Sequence, residues 1–188
     1  MVVKRLIIAI TGTSGVIYGV KMVEYLHQYQ EDIETYLVIS DAAKKILALE
    51  TSTTPEALSK KVARYFEPED IAAPIASGSF LTDGMVIVPC SMKTLASIAS
   101  GYSDNLIARA ADVALKERRR LIVVPRETPL SNIHLRNMLT LSEAGAVVLP
   151  PVPAFYHRPR TLDDIINYTI GKILDALGIE HKLFERWK

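Results

Sequence analysis

The chain alternates short, almost continuously apolar runs with longer segments in which apolar residues recur at helical spacing. The apolar runs are rich in β-branched residues and lie at 5–10, 34–40, 84–89, 121–125 and 146–150. Such runs are typical of strands buried on both faces, because a strand with one face in water would alternate polar and apolar residues. The pattern therefore predicts five buried strands.

Helix-length segments separate these strands, at 16–29, 41–49, 55–66, 92–100, 104–118, 131–144 and 162–177. Capping residues precede several of them: Ser40 or Asp41, Asp104, and Thr161 with Asp164 three residues later. Alternating strands and helices predict an α/β fold with a parallel sheet. The irregular stretch 67–83 is expected to be a loop over one edge of the sheet.

Composition excludes several classes of protein. A chain of 188 residues suits one domain over 1–188. With 49% hydrophobic residues, 23% charged residues and a formal charge of +1, neither disorder nor nucleic-acid binding is indicated. Cys90 is the only cysteine, so no internal disulfide can form, and a reducing cytoplasm fits best.

The N-terminus imitates a secretory signal, since Lys4 and Arg5 precede an uncharged stretch. However, "TGTSG" at 11–15 interrupts that stretch, which is also shorter than the roughly 20 apolar residues of a membrane span. We therefore predict no membrane association, and a strand, turn and helix in this region.

Two strand-to-helix turns carry candidate binding chemistry. "TGTSG" can present backbone N–H groups and a helix N-terminus to a phosphate, although Gly12 and Gly15 also suit a simple tight turn. "PCSMKT" at 89–94 repeats the pattern, with Ser91 as the cap. Cys90 itself is expected to be a small buried residue and not a nucleophile.

A third turn places opposite charges after a buried strand, where Arg126 and Glu127 follow "LIVVP". Ligands bind beyond the carboxyl ends of parallel strands, so this pair is expected at the rim of a pocket. The four histidines show no metal-ligand spacing, which makes a protein-ligated metal unlikely on sequence grounds. "PAFYHRP" at 153–159 displays Phe155 and Tyr156, either as a packed loop or as the wall of a small apolar pocket.

Together, several stretches resemble the UbiX family of flavin prenyltransferases, in the same order and over nearly the whole chain. The segment 105–138 is the most specific of them, whereas the first turn resembles many nucleotide-binding proteins. The stretches are "TGTSG", "VISDAAKKILALE", "PCSMKTLASIASG", "NLIARAADVALKERRRLIVVPRETPLSNIHLRNM" and "FYHRP".

This resemblance implies a three-layer, Rossmann-like or flavodoxin-like subunit that assembles as a dodecamer with active sites between subunits. The implied reaction joins the dimethylallyl group of dimethylallyl phosphate to N5 and C6 of reduced FMN without a metal. The prenylated FMN would serve a UbiD-type decarboxylase as partner.

The resemblance also implies site residues. The expected FMN contacts are Gly12, Thr13, Ser14, Ser40, Ser91, Met92, Lys93, Thr94 and Arg126. The expected residues around the prenyl phosphate are Arg109, Lys116, Glu127, Tyr156 and Lys172. Ser14, Glu50, Lys116 and Glu127 are the expected catalytic residues, with Glu50 assisting proton removal at the flavin. Lys172 stands where some relatives have arginine, which replaces a bidentate fork by a point charge.

Two other functions remain open on the sequence. An FMN-dependent decarboxylase is one, although the cysteine decarboxylases carry Pro-x-Met-Asn-x-x-Met-Trp where this chain keeps only Pro129 and Asn132 and has Ser131, Leu135 and Arg136. A noncatalytic FMN-binding subunit is the other, and the retained Glu50, Lys116 and Glu127 argue against it.

Overall fold

The computed structural model describes residues 4–187, which form a parallel sheet covered by helices on both faces. The strands are β1 (Lys4–Ile10), β2 (Ile33–Ile39), β3 (Arg64–Phe66), β4 (Gly84–Cys90), β5 (Arg120–Pro125) and β6 (Val147–Val148). The helices are α1 (Val16–Tyr29), α2 (Asp41–Glu50), α3 (Pro55–Ser59), α4 (Met92–Ala99), α5 (Leu106–Lys116), α6 (Asn132–Glu143) and α7 (Leu162–Leu177), with a 3₁₀ turn at Pro74–Ala76.

The sheet runs in the order β3-β2-β1-β4-β5-β6, and every neighbouring pair is parallel. The chain first builds outward from β1 to β3 and then returns to β4 on the other side of β1. The direction of winding therefore reverses between β1 and β4, which is where open parallel sheets bind ligands. The predicted three-layer α/β class is confirmed.

Alternate residues of each strand feed two separate cores. On one face Ile8 packs in a cluster with α1 and α7, and on the other Ile7 packs in a cluster with α4 and α5. Both faces of the central strands are thus apolar, which explains why these strands read as continuous hydrophobic runs.

Helices α1 and α7 have the predicted bounds, but the helix predicted over 55–66 is wrong. Helix α3 ends at Ser59, and 64–66 form the edge strand β3 beside β2. The Phe66 ring stacks on the Tyr36 ring of β2, with centroids 6.4 Å apart. Pairing with a free sheet edge is a tertiary effect that overrides the local helical pattern.

Helices α2, α4 and α7 are capped by the residues that the sequence predicts. The Ser40 and Ser91 hydroxyls accept hydrogen bonds from the first turns of α2 and α4, and Thr161 with Asp164 forms a capping box at α7. Asp104 was expected to cap α5, but Asn105 does so, and the helix begins at Leu106. The N-cap position therefore lies one residue later than predicted.

The loop at 67–83 runs from the edge strand β3 along α5, and its Phe80 ring packs edge-on against Tyr36 of β2, with centroids 5.3 Å apart. Arg109 Nε donates to the Ala76 carbonyl at 3.1 Å, and Arg119 donates to the carbonyls of Gly78 and Phe80. Only Pro68 and Glu69, at the start of the loop, reach the cleft described below.

Gly19 lets α1 lie directly on the sheet, and its replacement should destabilise the fold. A methyl group there would lie 2.5 Å from the Val88 carbonyl oxygen and 2.7 Å from Ile10 Cγ1. We expect Gly19→Ala to lower the free energy of unfolding in urea by about 1–3 kcal/mol, because backbone must move to relieve the overlap. Gly178→Asn, at an open left-handed C-cap, is the control. Equal stability of the Gly19 and control variants would contradict this account of the packing.

Candidate functional site

A cleft of ≈ 520 Å³ opens at the carboxyl edge of the sheet, where the connections after β1 and β4 diverge. Its walls come from the turn after β1, the starts of α2, α4 and α5, and Glu127 after β5. The position agrees with the rule that ligands bind at the reversal point of an open parallel sheet.

Three helix N-termini converge on this cleft. Helices α2, α4 and α5 are capped by Ser40, Ser91 and Asn105, and all three capping residues line it. The first N–H groups of a helix have no partner within the helix, and the helix dipole adds positive potential at that end. The cleft therefore suits an anionic, hydrogen-bonding ligand such as a phosphate ester.

Thr11 joins the two turns on either side of the reversal point. Its hydroxyl donates to the Pro89 carbonyl at 2.8 Å and accepts from the Ser91 N–H at 2.8 Å, and its own N–H donates to Pro89 O at 3.2 Å. The residue is 1% exposed. These bonds set the spacing between the first turn and the start of α4.

Gly12 permits the close approach of the first turn to α2. A methyl group at this position would meet Ala42 Cβ at 2.3 Å. The next residue, Thr13, donates from its hydroxyl to the Arg126 carbonyl at 3.1 Å. The first turn is thereby tied to the connections after both β2 and β5.

Acidic side chains at the cleft are partly neutralised by neighbouring lysines. Lys44 Nζ lies 3.0 Å from Asp41 and 2.6 Å from Glu67, and the hydrogen bond from Lys44 holds the pKa of Asp41 below its usual value. Lys93 Nζ lies 3.8 Å from Asp104. An anion that approaches the helix N-termini is therefore repelled less than it would be by the same carboxylates without their lysine partners.

Seven of the nine expected FMN contacts line the cleft. They are Gly12, Thr13, Ser40, Ser91, Met92, Lys93 and Thr94. Ser14 is exposed beside them on the same turn, and Arg126 supports the turn through its carbonyl. Glu127 lines the cleft as expected of a rim residue, although within residues 4–187 it makes no ion pair with Arg126.

Glu50 also lies at the first turn, although it is 35 residues away in sequence. Its Oε2 accepts a hydrogen bond from the Gly15 N–H at 2.8 Å. The carboxylate therefore sits at the N-terminus of α1, next to Ser14, which brings two of the four expected catalytic residues together.

Lys116 and Arg109 do not reach this cleft within one subunit. Both are on α5, whose 11 residues span about 16 Å, and Lys116 is at the end remote from the cleft. The Lys116 ammonium pairs with Glu117, and Arg109 pairs with Asp112 at 2.7 Å. One subunit alone therefore leaves the expected phosphate cations apart.

A second cavity of ≈ 280 Å³ lies beside the end of β6, and Tyr156 is next to it without lining it. Lys172, Tyr168 and Thr169 of α7 line it, and the Tyr156 ring is 6.1 Å from that of Tyr168. The pKa of Tyr156 is raised, chiefly by desolvation, and the Lys172 charge partly offsets the rise. The Trp187 ring meets Tyr156 edge-on at 5.3 Å.

Sequence reasoning missed several residues of these two sites. The cleft is also lined by Pro68, Glu69, Asn105 and Ile107. Of these, only Asn105 could have been found from the sequence, through the capping signal at 104–105. Thr169 is 2% exposed, and its hydroxyl has no hydrogen-bond partner in the described part of the chain. No sequence pattern marks a residue of that kind.

Cys90 is fully buried, and burial raises the pKa of its thiol, as its interpretation as a core residue requires. Among residues 4–187 there is no cluster of three or more potential metal-ligating side chains. Within the same range, no helix is long and apolar enough to span a membrane.

Comparisons with known proteins are consistent over the whole chain. A family model described as Flavoprotein matches residues 1–174. The flavin prenyltransferase UbiX of Methanocaldococcus jannaschii is 51% identical over 183 residues, which cover 97% of this chain and 98% of that protein.

Solved structures of similar proteins match the chain over nearly its whole length. AnUbiX in complex with FMN and dimethylallyl pyrophosphate has a TM-score of 0.95 at 48% identity, covering 98% of this chain and 97% of that one. A dodecameric FMN-dependent UbiX-like decarboxylase from Escherichia coli O157:H7 has the same score and identity, with 98% and 99% coverage. The cysteine decarboxylase SpaF, at 16% identity and a TM-score of 0.65, shares the fold alone.

The bonds of Thr11 should matter both for stability and for the cleft. We expect Thr11→Val to lower the free energy of unfolding by about 1–3 kcal/mol, because it leaves a buried N–H and a buried carbonyl without this partner. FMN affinity should fall as well, since the two turns would separate.

Thr169→Val is the matched control, because Thr169 is equally buried but unpaired. Removing an unpaired buried hydroxyl should leave the free energy of unfolding unchanged or raise it. Chemical denaturation followed by circular dichroism compares the two variants. If both variants lost the same free energy of unfolding, the Thr11 hydrogen bonds would make no specific contribution to stability.

Proposed function

The chain belongs to the Flavoprotein family, and we propose that it is a flavin prenyltransferase of the UbiX type, with residues 1–188 acting as one FMN-binding domain. The observation that carries this proposal is the cleft of three helix N-termini at the reversal point of the sheet. FMN is both the ligand of this cleft and the acceptor of the prenyl group. The donor is dimethylallyl phosphate, and the bonds form at N5 and C6 of reduced FMN.

The cleft residues fit an FMN molecule in chemistry and in placement. Unpaired N–H groups at the starts of α2 and α4, with the hydroxyls of Ser40, Ser91 and Thr94, provide donors for phosphate and ring-edge oxygens. Gly12 lets the first turn pack closely on α2, which brings the turn and the start of that helix to the same cleft. We propose that Thr13, Ser14, Met92, Lys93 and Arg126 complete the contacts.

The prenyl phosphate requires cations from more than one copy of the chain. Lys172 and Tyr156 are adjacent in one subunit, whereas Lys116 is about 16 Å along α5 from the cleft. We propose a homo-oligomer in which the Lys116 and Arg109 side chains serve the site of a neighbouring subunit. A dodecamer like that of the Escherichia coli relative would supply such contacts.

In this proposal, the cationic side chains also stabilise the phosphate as it leaves. Preorganised cations stabilise the negative charge that develops on a leaving phosphate, most strongly where water is excluded. Lys116, Lys172 and Arg126 supply that charge in this proposal, so turnover needs no divalent metal. Phe155 and Tyr156, which are 67% and 40% exposed in one subunit, offer the allylic group an apolar surface.

We propose that Glu50 and Ser14 handle the proton that leaves the flavin. The Glu50 carboxylate is held at the first turn by Gly15 N–H, beside the Ser14 hydroxyl. A carboxylate in this place can accept a proton directly or through the serine. Glu127, which lines the cleft after β5, is proposed to act on the phosphate side.

The prenylated FMN would then pass to a UbiD-type decarboxylase, in the cytoplasm. An FMN-dependent decarboxylase is the second candidate, favoured by the description of the Escherichia coli O157:H7 relative. A noncatalytic FMN-binding subunit is the third candidate, and the retained Glu50, Lys116 and Glu127 argue against it.

The central experiment is anaerobic incubation of the protein with reduced FMN and dimethylallyl phosphate, with mass analysis of the flavin. We expect the flavin to gain the mass of one dimethylallyl unit and phosphate to be released, with or without a chelator. An unchanged flavin, together with carbon dioxide release from an aromatic or cysteinyl acid, would favour the decarboxylase.

Glu127→Gln separates flavin binding from prenyl transfer. The amide keeps the shape of the side chain but cannot exchange protons or carry charge, so the rate of prenylated FMN formation should fall by about 10²-fold or more. FMN affinity should be unchanged, because the donors at the helix N-termini remain. Glu143→Gln, on an exposed carboxylate at the end of α6, is the control. Equal rates in the Glu127 variant and the wild type would remove Glu127 from the reaction.

A further inference from the structure

The end of the chain folds back onto α7 and is held there mainly by Asp175. The Asp175 carboxylate accepts two hydrogen bonds from the Arg186 guanidinium, at 2.7 and 3.1 Å. His181 Nε2 is 3.1 Å from Asp175 Oδ1, and the His181 side chain is completely buried. Two residues that follow the helix thus meet at one carboxylate of the helix.

Gly171 makes room for this arrangement on the surface of α7. A methyl group there would lie 2.5 Å from the Phe184 ring and 2.6 Å from the His181 ring. The Phe184 ring also contacts Tyr168, with centroids 4.9 Å apart, and Trp187 reaches Tyr156. The segment 179–187, here called the C-terminal segment, therefore packs against Tyr168, which lines the Lys172 cavity, and against Tyr156.

Asp175 faces Lys172 as well as the C-terminal segment. Lys172 Nζ is 3.8 Å from Asp175 Oδ2, one turn earlier on α7, and its side chain remains 47% exposed. The contact is too long to engage the ammonium fully, so Lys172 is oriented but still free to bind an anion.

The charges around Asp175 are not balanced. One carboxylate faces two permanent cations, Arg186 and Lys172, in addition to His181. The Arg186 hydrogen bonds hold the pKa of Asp175 below its usual value, so the carboxylate stays ionised at neutral pH. The cluster carries net positive charge, and a second anion beside Lys172 would complete it.

We infer that Asp175 is a positioning residue of the prenyl phosphate site: it orients Lys172 toward the phosphate and docks the C-terminal segment beside the same cavity. This inference rests on the proposed function. Because one carboxylate serves both contacts, docking of the segment and binding of phosphate are coupled, and each favours the other.

Trp187 allows docking to be measured apart from catalysis, since it is the only tryptophan in the chain. Its fluorescence anisotropy reports whether the segment is held against Tyr156. In the wild type we expect anisotropy to rise with added inorganic phosphate or dimethylallyl phosphate. Asp175→Asn and Arg186→Met should both lower the anisotropy and weaken that response.

Kinetics and binding supply the second readout. In the Asp175→Asn variant, loss of the charge-assisted contact to Lys172 should raise the KM for dimethylallyl phosphate, and the apparent Kd for inorganic phosphate, by about tenfold. The Kd for FMN should stay unchanged, because the FMN cleft lies at other elements. Asp175→Glu should recover most of the loss, whereas a purely structural role would not be restored by a longer carboxylate.

Asp163→Asn is the matched control, because Asp163 is an exposed aspartate of the same helix that pairs with Lys21 at 3.5 Å. It should change neither anisotropy nor phosphate affinity. If the Asp175 and Arg186 variants release Trp187 but bind phosphate as the wild type does, Asp175 serves only the fold, and the inference is overturned.

Unchanged anisotropy in both variants would equally overturn it. Failure of the proposed function has a different signature, since the flavin would then gain no mass even in the wild type. The anisotropy response to inorganic phosphate would still decide whether Asp175 couples the segment to an anion at Lys172.

Discussion

The candidate site depends on one buried hydroxyl, that of Thr11, which bridges the two turns at the reversal point of the sheet. Diverging connections create an opening at this point but do not fix its width. The bonds from Thr11 to Pro89 and Ser91 fix it, because they join the first turn to the start of α4. The helix N-termini can then act on a ligand as preorganised donors that need little rearrangement on binding.

The same fold motivates the proposal that one subunit alone is not a complete enzyme. Helix α5 presents its N-terminus to the FMN cleft and therefore carries Lys116 to the opposite end of a rigid rod. No adjustment of a helix brings its two ends together, so Lys116 cannot act at the cleft of its own subunit, and the proposed function assigns it to a neighbouring copy. Exposed apolar side chains on α6, Ile133 at 67% and Leu139 at 58%, are in keeping with such contacts.

Much of the fold could be predicted because its signals are local. The buried strands reveal themselves through β-branched runs, and the capping residues mark where α2, α4 and α7 begin. Strand β3 could not be predicted in this way, since Arg64–Phe66 becomes a strand only by pairing with β2 and stacking on Tyr36. Placing Glu50 at the first turn likewise needed the tertiary fold, because nothing near it in sequence marks it.

The inferred role of the C-terminal segment follows from the chemistry of the lysine at position 172. An arginine would bring a rigid, planar fork that fits two phosphate oxygens without assistance, whereas a lysine is a point charge on a flexible stem. Such a side chain gains most from a neighbour that limits its motion, and Asp175 is placed to do this one helical turn away. Arg186, held on the same carboxylate, brings a second positive charge in addition to that of Lys172. The loss of geometric precision at one side chain is thus offset by a cluster in which helix and chain end act together.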